Sequence, residues 1–176
     1  MLTSDHNNQH QNKHHQHKQY QLAADLGAAL YAAGASVCTV ESCTGGGLAY
    51  AITEVPGSSS WINQSFITYS NDAKVSLVGV QQSTLDEFGA VSEQVVTEMA
   101  LGGRQRAGAD YALSISGIAG PSGGTEDKPV GLVHFALASA NGVETFNRCF
   151  SGDRALIRKQ AILLALEKLI FSVVNT

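Results

Sequence analysis

The sequence predicts an α/β fold: a single three-layer domain with a mixed β-sheet flanked by helices. Three observations predict it. Short apolar runs that read as buried strands alternate with segments of helical period early in the chain. Two later apolar runs are separated by Asn141-Gly142, a hairpin signal that adds antiparallel pairing to the sheet. No repeat or linker divides the 176 residues, a length that one compact core can fill.

Taken in order, Leu22, Ala23, Leu26, Ala29, Leu30 and Ala33 recur at helical spacing, and Gly34 stands where a helix C-terminus would stop. Ala35 to Val40 (ASVCTV) reads as a buried strand. GGGLAYAITEV reads as a helix, ended by Pro56-Gly57 and the serine run Ser58 to Ser60. QSFITYS is a second strand, after which Asn71 is placed to cap a short helix, DAKVSLVGV. Ser83 and Ser92 look like N-caps in the next stretch. There Val95, Val96, Met99 and Ala100 mark the buried side of a longer helix, with Glu93 and Glu98 early in it. DYALSISG is a third strand, running into a glycine-rich loop, GIAGPSGGTEDKPVG. LVHFALAS and VETFNRCF form the hairpin, and an amphipathic helix, DRALIRKQAILLALEKLIFSVV, closes the chain with Asp153 as its cap.

A hydrophobic content of 44% with 15% charged residues fits a globular protein and excludes a disordered chain or a coiled coil. The net charge of -4 argues against nucleic-acid binding, which draws on a basic face. No apolar run reaches the roughly 18 residues of a membrane span, and the N-terminus lacks the apolar core of a secretory signal. Cys38, Cys43 and Cys149 show no pairing pattern, so free thiols in a reducing, cytoplasmic compartment are expected. Five of the six histidines lie in the first 17 residues. That tract would take up nickel or zinc adventitiously, but its composition reads as a disordered, polar extension, and residues 1–17 are set apart from the fold.

Three polar clusters fall at strand ends, where open α/β sheets collect ligands: Glu41-Ser42-Cys43-Thr44, Tyr69-Ser70-Asn71 with Lys74, and the Ser116 to Gly124 loop. The first asks what a carboxylate, two nucleophiles and a threonine do on one strand-to-helix turn. Ser42 or Thr44 can simply cap the following helix. Alternatively, Ser42 presents its hydroxyl beside convergent amides, with Gly45 and Gly46 letting a ligand approach the backbone. A hydroxyl nucleophile needs a base. His134 sits inside an apolar strand, so Lys74 is the better candidate, although a helix lysine is ordinarily solvated and its pKa would have to fall well below about 10.4. Tyr69 could orient that lysine or donate to a leaving group. Cys43 is the rival nucleophile but has no histidine partner. The glycine loop, with Gly117 and Gly120, resembles a phosphate nest without a Walker lysine; Lys128, Arg154 or Arg158 would add charge to it. Outside the tail nothing has metal-ligand spacing, so no metal is expected.

Seven stretches carry a resemblance: ESCTGG, SFITYSNDAK, LVGV, GAVSEQVVTEMA, ADYALSISGIAGPSGG, KPVGLVHFA and FSGDRALIRKQA. In that order, from about Tyr20 to Leu169, they resemble the CinA C-terminal domain family. The resemblance implies a domain over residues 18–176 of the standalone amidohydrolase kind. The activity it implies is hydrolysis of nicotinamide mononucleotide to nicotinic acid mononucleotide and ammonia, with no metal and no cofactor. It implies Ser42 as nucleophile, Lys74 as base and Tyr69 as the adjacent tyrosine. It also implies an arginine of GDRALIR on the substrate, Arg154 before Arg158. Thr44, Gly45, Gly46, Asn71, Gly117 and Gly120 complete the expected substrate contacts. The implied partners are a small nucleotide substrate and, as an option, a second copy of the chain in a homodimer, not nucleic acid or a membrane. A nucleotide-binding regulator without turnover, or an interaction module, stands as the alternative.

Overall fold

The structure is a computed structural model; it describes the backbone from Thr3 to Thr176 and the side chains from Gln16 onward. Helix α1 runs Thr3–Ala33, so helical backbone continues back through the segment that its composition sets apart. No proline or glycine precedes Gly27 to interrupt it. The side chains of residues 1–15, most of the histidine-rich tract, lie outside the described residues. Lys18 meets Glu167 at 2.9 Å, an exposed pair that adds little stability.

The other elements are β1 (Val37–Glu41), α2 (Gly47–Thr53), β2 (Ile62–Ile67), α3 (Asn71–Val78), α4 (Gln82–Phe88), α5 (Glu93–Ala107), β3 (Tyr111–Gly117), β4 (Leu132–Ser139), β5 (Gly142–Cys149) and α6 (Arg154–Val174). Five strands form one sheet in the order β2-β1-β3-β4-β5. β1 pairs parallel with β2 and β3, while β3, β4 and β5 pair antiparallel, as the early alternation and the late hairpin require.

The two faces of the sheet are built differently. On one, Val37, Leu113, Ile115, Val133, Phe135 and Leu137 pack under α1, α2 and α6. On the other, Cys38, Val40, Ala112, Ala136 and Ala138 meet α3, α4 and α5. Small residues on this second face let α5 lie close: a Cβ on Gly103 would strike Val40 Cγ2, and Ser114 donates to the Val96 carbonyl at 2.6 Å. No described helix is long and apolar enough to cross a membrane.

Two caps differ from the local reading. Ser70, not Asn71, caps α3, because its hydroxyl accepts from the Ala73 amide at 3.1 Å. Ser83 lies inside α4, whose start is held instead by a distant carboxylate: Glu98 accepts from the Gln81 amide at 2.7 Å and the Thr84 hydroxyl at 2.7 Å. Ser92 and Asp153 cap α5 and α6 as their positions suggest.

Candidate active site

The turn after β1 sits at the carboxyl end of parallel strands, beside the ends of β2 and β3. The Ser42 amide donates to Ile115 at 2.9 Å, which pins the residue to β3. Gly45 (φ 59°) and Gly46 (φ 89°) are consecutive left-handed residues that swing the chain into α2; a side chain there would be strained. A Cβ on Gly46 would also lie 3.0 Å from Ile67 Cδ1. Gly47 serves packing rather than ligand approach, since a Cβ on it would sit 2.6 Å from Ile162 Cδ1 of α6.

Neither Ser42 nor Thr44 caps α2, whose N-cap residue is Gly46 with no side-chain bond of its own. Glu41 does that work from inside the strand: its carboxylate accepts from the Leu48 amide at 3.0 Å and the Ala49 amide at 2.8 Å. The positive end of α2 is therefore spent within the protein. The amides of Thr44 and Gly46 have no acceptor among the described residues, so they are the turn's available donors, while the Cys43 amide serves its own thiol. Thr44 Oγ1 is buried and unpartnered.

Lys74 is not the solvated helix lysine of the ordinary case. It is 1% exposed, and its Nζ donates to Ser42 Oγ at 3.2 Å and to the Thr68 carbonyl at 2.9 Å. Burial pulls its pKa below the ordinary 10.5, against a smaller opposing pull from Cys43. Ser42 is itself buried, at 9% exposure. Cys43, next to it, is a poor nucleophile: burial pushes its thiol up to about 11, more than its backbone and the nearby Arg158 and Lys74 charges bring it down.

Helix α6 adds two arginines four residues apart, on one face. Arg154 donates through Nη1 to the Gly120 carbonyl and through Nη2 to the Tyr69 hydroxyl, both at 2.8 Å. Arg158 donates to the Thr44 carbonyl at 2.7 Å, and its Nε is buried without a partner. Tyr69 is thus joined to Arg154, while the Thr68 carbonyl orients Lys74, the role for which Tyr69 was a candidate. Gly120, with positive φ, lies in the loop that Arg154 holds. Gly117 answers to packing, because a Cβ on it would meet Leu132 O at 2.8 Å. Asn71 stands exposed at the first residue of α3, three positions before Lys74. Lys128 bonds to the Phe88 carbonyl at 2.7 Å, away from the arginines. His134 pairs in register with Ser116, and burial and Lys128 lower its pKa against Glu93.

Glu41 and Thr68 are the residues that reading by motif passes over. The signal for Glu41 was present: a carboxylate immediately before a turn whose helix lacks a polar side chain at its N-cap. Thr68 contributes through its carbonyl, which no residue type announces.

The family profile of the CinA C-terminal domain matches residues 19–173. The chain is 56% identical over 150 residues to a nicotinamide-nucleotide amidohydrolase, PncC, of Escherichia coli K12, covering 85% of this chain and 91% of that protein. It is 45% identical over 149 residues to the Pseudomonas putida protein of the same name, covering 85% and 93%. Among solved structures, a competence/damage inducible protein, CihA, from Agrobacterium tumefaciens superposes with a TM-score of 0.85 at 44% identity, over 88% of this chain and 94% of that one. A CinA superfamily protein from Klebsiella pneumoniae superposes with a TM-score of 0.87 at 36% identity, over 90% and 99%.

Proposed function

The chain belongs to the CinA C-terminal domain family, and from that membership and the geometry of the turn we propose that it is a nicotinamide-nucleotide amidohydrolase. The substrate is nicotinamide mononucleotide, the products are nicotinic acid mononucleotide and ammonia, and the chemistry is that of a serine–lysine dyad. The observation that carries the reading is a lysine amine, buried and with a lowered pKa, 3.2 Å from a serine hydroxyl at a strand-to-helix turn.

In the neutral amine, the Nζ lone pair accepts the proton as Ser42 Oγ attacks the carboxamide carbon. The carbonyl oxygen gains the negative charge, and the free amides of Thr44 and Gly46 are the donors within reach of the turn. The protonated lysine returns its proton to the departing nitrogen, which leaves as ammonia with the C–N electron pair. Water, deprotonated by the same amine, then cleaves the acyl-serine to the acid and restores Ser42. The substrate's pyridinium adds a like charge near Lys74 that favours the neutral amine further. The Arg154–Gly120–Tyr69 cluster supplies a cation and a donor for the 5′-phosphate. The free thiols Cys38, Cys43 and Cys149 support a cytoplasmic address.

Ammonia release from nicotinamide mononucleotide tests the reading. Ser42→Ala should lower kcat by about 10³-fold or more, because the neighbouring Cys43 thiol, pushed up to about 11 by burial, is a poor substitute nucleophile. Turnover surviving in that variant, or saturable nucleotide binding without ammonia from the parent, would sink it.

Arg154 gives a separate expectation. Lysine keeps its charge but cannot bridge Gly120 and Tyr69 as a fork, so Arg154→Lys should raise KM for the mononucleotide about tenfold. The same change should leave KM for the phosphate-free riboside unaltered. Equal effects on both substrates would place the phosphate elsewhere.

A further inference from the structure

We infer that Glu41 is a positioning residue for the Ser42–Lys74 pair, acting through both its side chain and its main chain. The inference rests on the proposed dyad and assigns to Glu41 the task of holding its two members in register.

The side-chain half ties β1 to α2. Glu41 is fully buried, at 0% exposure, and its carboxylate accepts three hydrogen bonds: from the Leu48 amide at 3.0 Å, the Ala49 amide at 2.8 Å and the Thr39 hydroxyl at 3.1 Å. These bonds span residues 42–47, so the whole turn that bears Ser42 is a loop closed at both ends by one residue. The chain inside the loop has little stiffness of its own, since Gly45, Gly46 and Gly47 follow one another and Gly46 offers α2 no side-chain cap. With α2 released, the turn would keep the Ser42 amide's bond to Ile115 and Arg158's bond to the Thr44 carbonyl but lose its anchor at the helix end.

The main-chain half reaches Lys74. The Glu41 carbonyl accepts from the Thr68 amide at 2.8 Å, and the Thr68 carbonyl accepts from Lys74 Nζ at 2.9 Å. Nucleophile and base are therefore held from the same residue, one by covalent adjacency and a side-chain clamp, the other through a two-bond relay. The carboxylate's hydrogen bonds go to the α2 amides and Thr39, none to the amine, so its contribution is to geometry rather than to proton transfer.

Glutamine at 41 is the informative substitution. It keeps one acceptor oxygen and turns an amide donor toward the donors of α2, loosening the clamp without changing its length. Full-length Glu41→Gln should lose about 10- to 100-fold in kcat for ammonia release, with KM for nicotinamide mononucleotide within about twofold of the parent. The acidic limb of its pH–rate profile should not move. Thr39→Val removes one of the three bonds at constant volume and should give a smaller fall, about threefold, of the same kind. Should Glu41→Gln be too unstable to assay, Thr39→Val decides: kcat within about 1.5-fold of the parent overturns the inference.

Other outcomes separate the alternatives. If kcat per titrated acyl-enzyme is unchanged in Glu41→Gln while Tm falls, Glu41 is structural only and the inference is overturned. A moved acidic limb overturns it in favour of an electrostatic role. Activity surviving in Ser42→Ala, run alongside, removes the dyad reading itself, a failure distinct from either.

Discussion

Replacing Lys74 by methionine is expected to abolish ammonia release and, at the same time, to make the protein more stable. The first effect, a loss of about 10³-fold or more, follows from removing the amine that bonds Ser42 Oγ. The second follows from burial. The lysine is 1% exposed, and its amine is easier to keep neutral in the fold than in water. The sign is set by proton binding: between the lowered folded pKa and the unfolded value near 10.5, the unfolded chain binds more protons, so parent stability rises with pH across that window. Below the folded pKa the buried amine is charged, and its full cost falls on the native state. Methionine carries no such cost and keeps the apolar stem. It leaves Ser42 Oγ and the Thr68 carbonyl without their donor, which offsets part of the gain. A net gain of about 1–2 kcal/mol, or roughly 2–8 °C in Tm, is expected at neutral pH. The gain should be largest at low pH and shrink as pH approaches 10.5. For the parent, kcat/KM should climb along an acidic limb whose midpoint lies below 10.5. A Tm lowered at neutral pH, or a limb at the ordinary lysine value, would contradict the neutral-base reading.

This lysine also shows where a sequence can mislead. Its partners were legible, because ESCTGG and YSNDAK each follow a strand-like run, and parallel strands bring such ends together. Its environment was not. A lysine in the first turns of a polar-looking helix reads as solvated, and only the packing of α3 against β2 and α5 encloses it. The same limit explains the caps. Ser92 and Asp153 act on their own next turn and were readable, whereas Glu98 holds α4 and Glu41 holds α2 from other elements. Glycines divide likewise. Gly45 and Gly46 announce a turn, but Gly47 and Gly117 are small because something presses on them, which spacing alone does not reveal.

Gly102→Ala should be a strongly damaging single methyl. In an open helix the change would help, by about 1 kcal/mol of propensity. Here Gly102 faces the end of α3: a Cβ would overlap the Val78 carbonyl oxygen and lie 2.8 Å from the Val78 carbonyl carbon. A backbone carbonyl cannot rotate aside as a side chain can, so α3 and α5 must part. That strain should exceed about 3 kcal/mol and leave a net loss of at least about 2 kcal/mol, or roughly 4–8 °C in Tm. The neighbouring Gly103→Ala strikes a side-chain methyl, Val40 Cγ2, rather than a backbone carbonyl, and should cost less. Function separates the two further. Val78 ends the helix that carries Lys74, and the Val80 amide is bonded to the Lys74 carbonyl at 3.1 Å, so displacing this end displaces the base. Gly102→Ala should therefore lower kcat in protein that is still folded, by about tenfold or more, whereas Gly103→Ala should not. Equal Tm losses with unchanged kcat in both would mean that the position of Lys74 is set by its bonds to Ser42 and Thr68 alone, and that the α3–α5 contact supports the fold without guiding the chemistry.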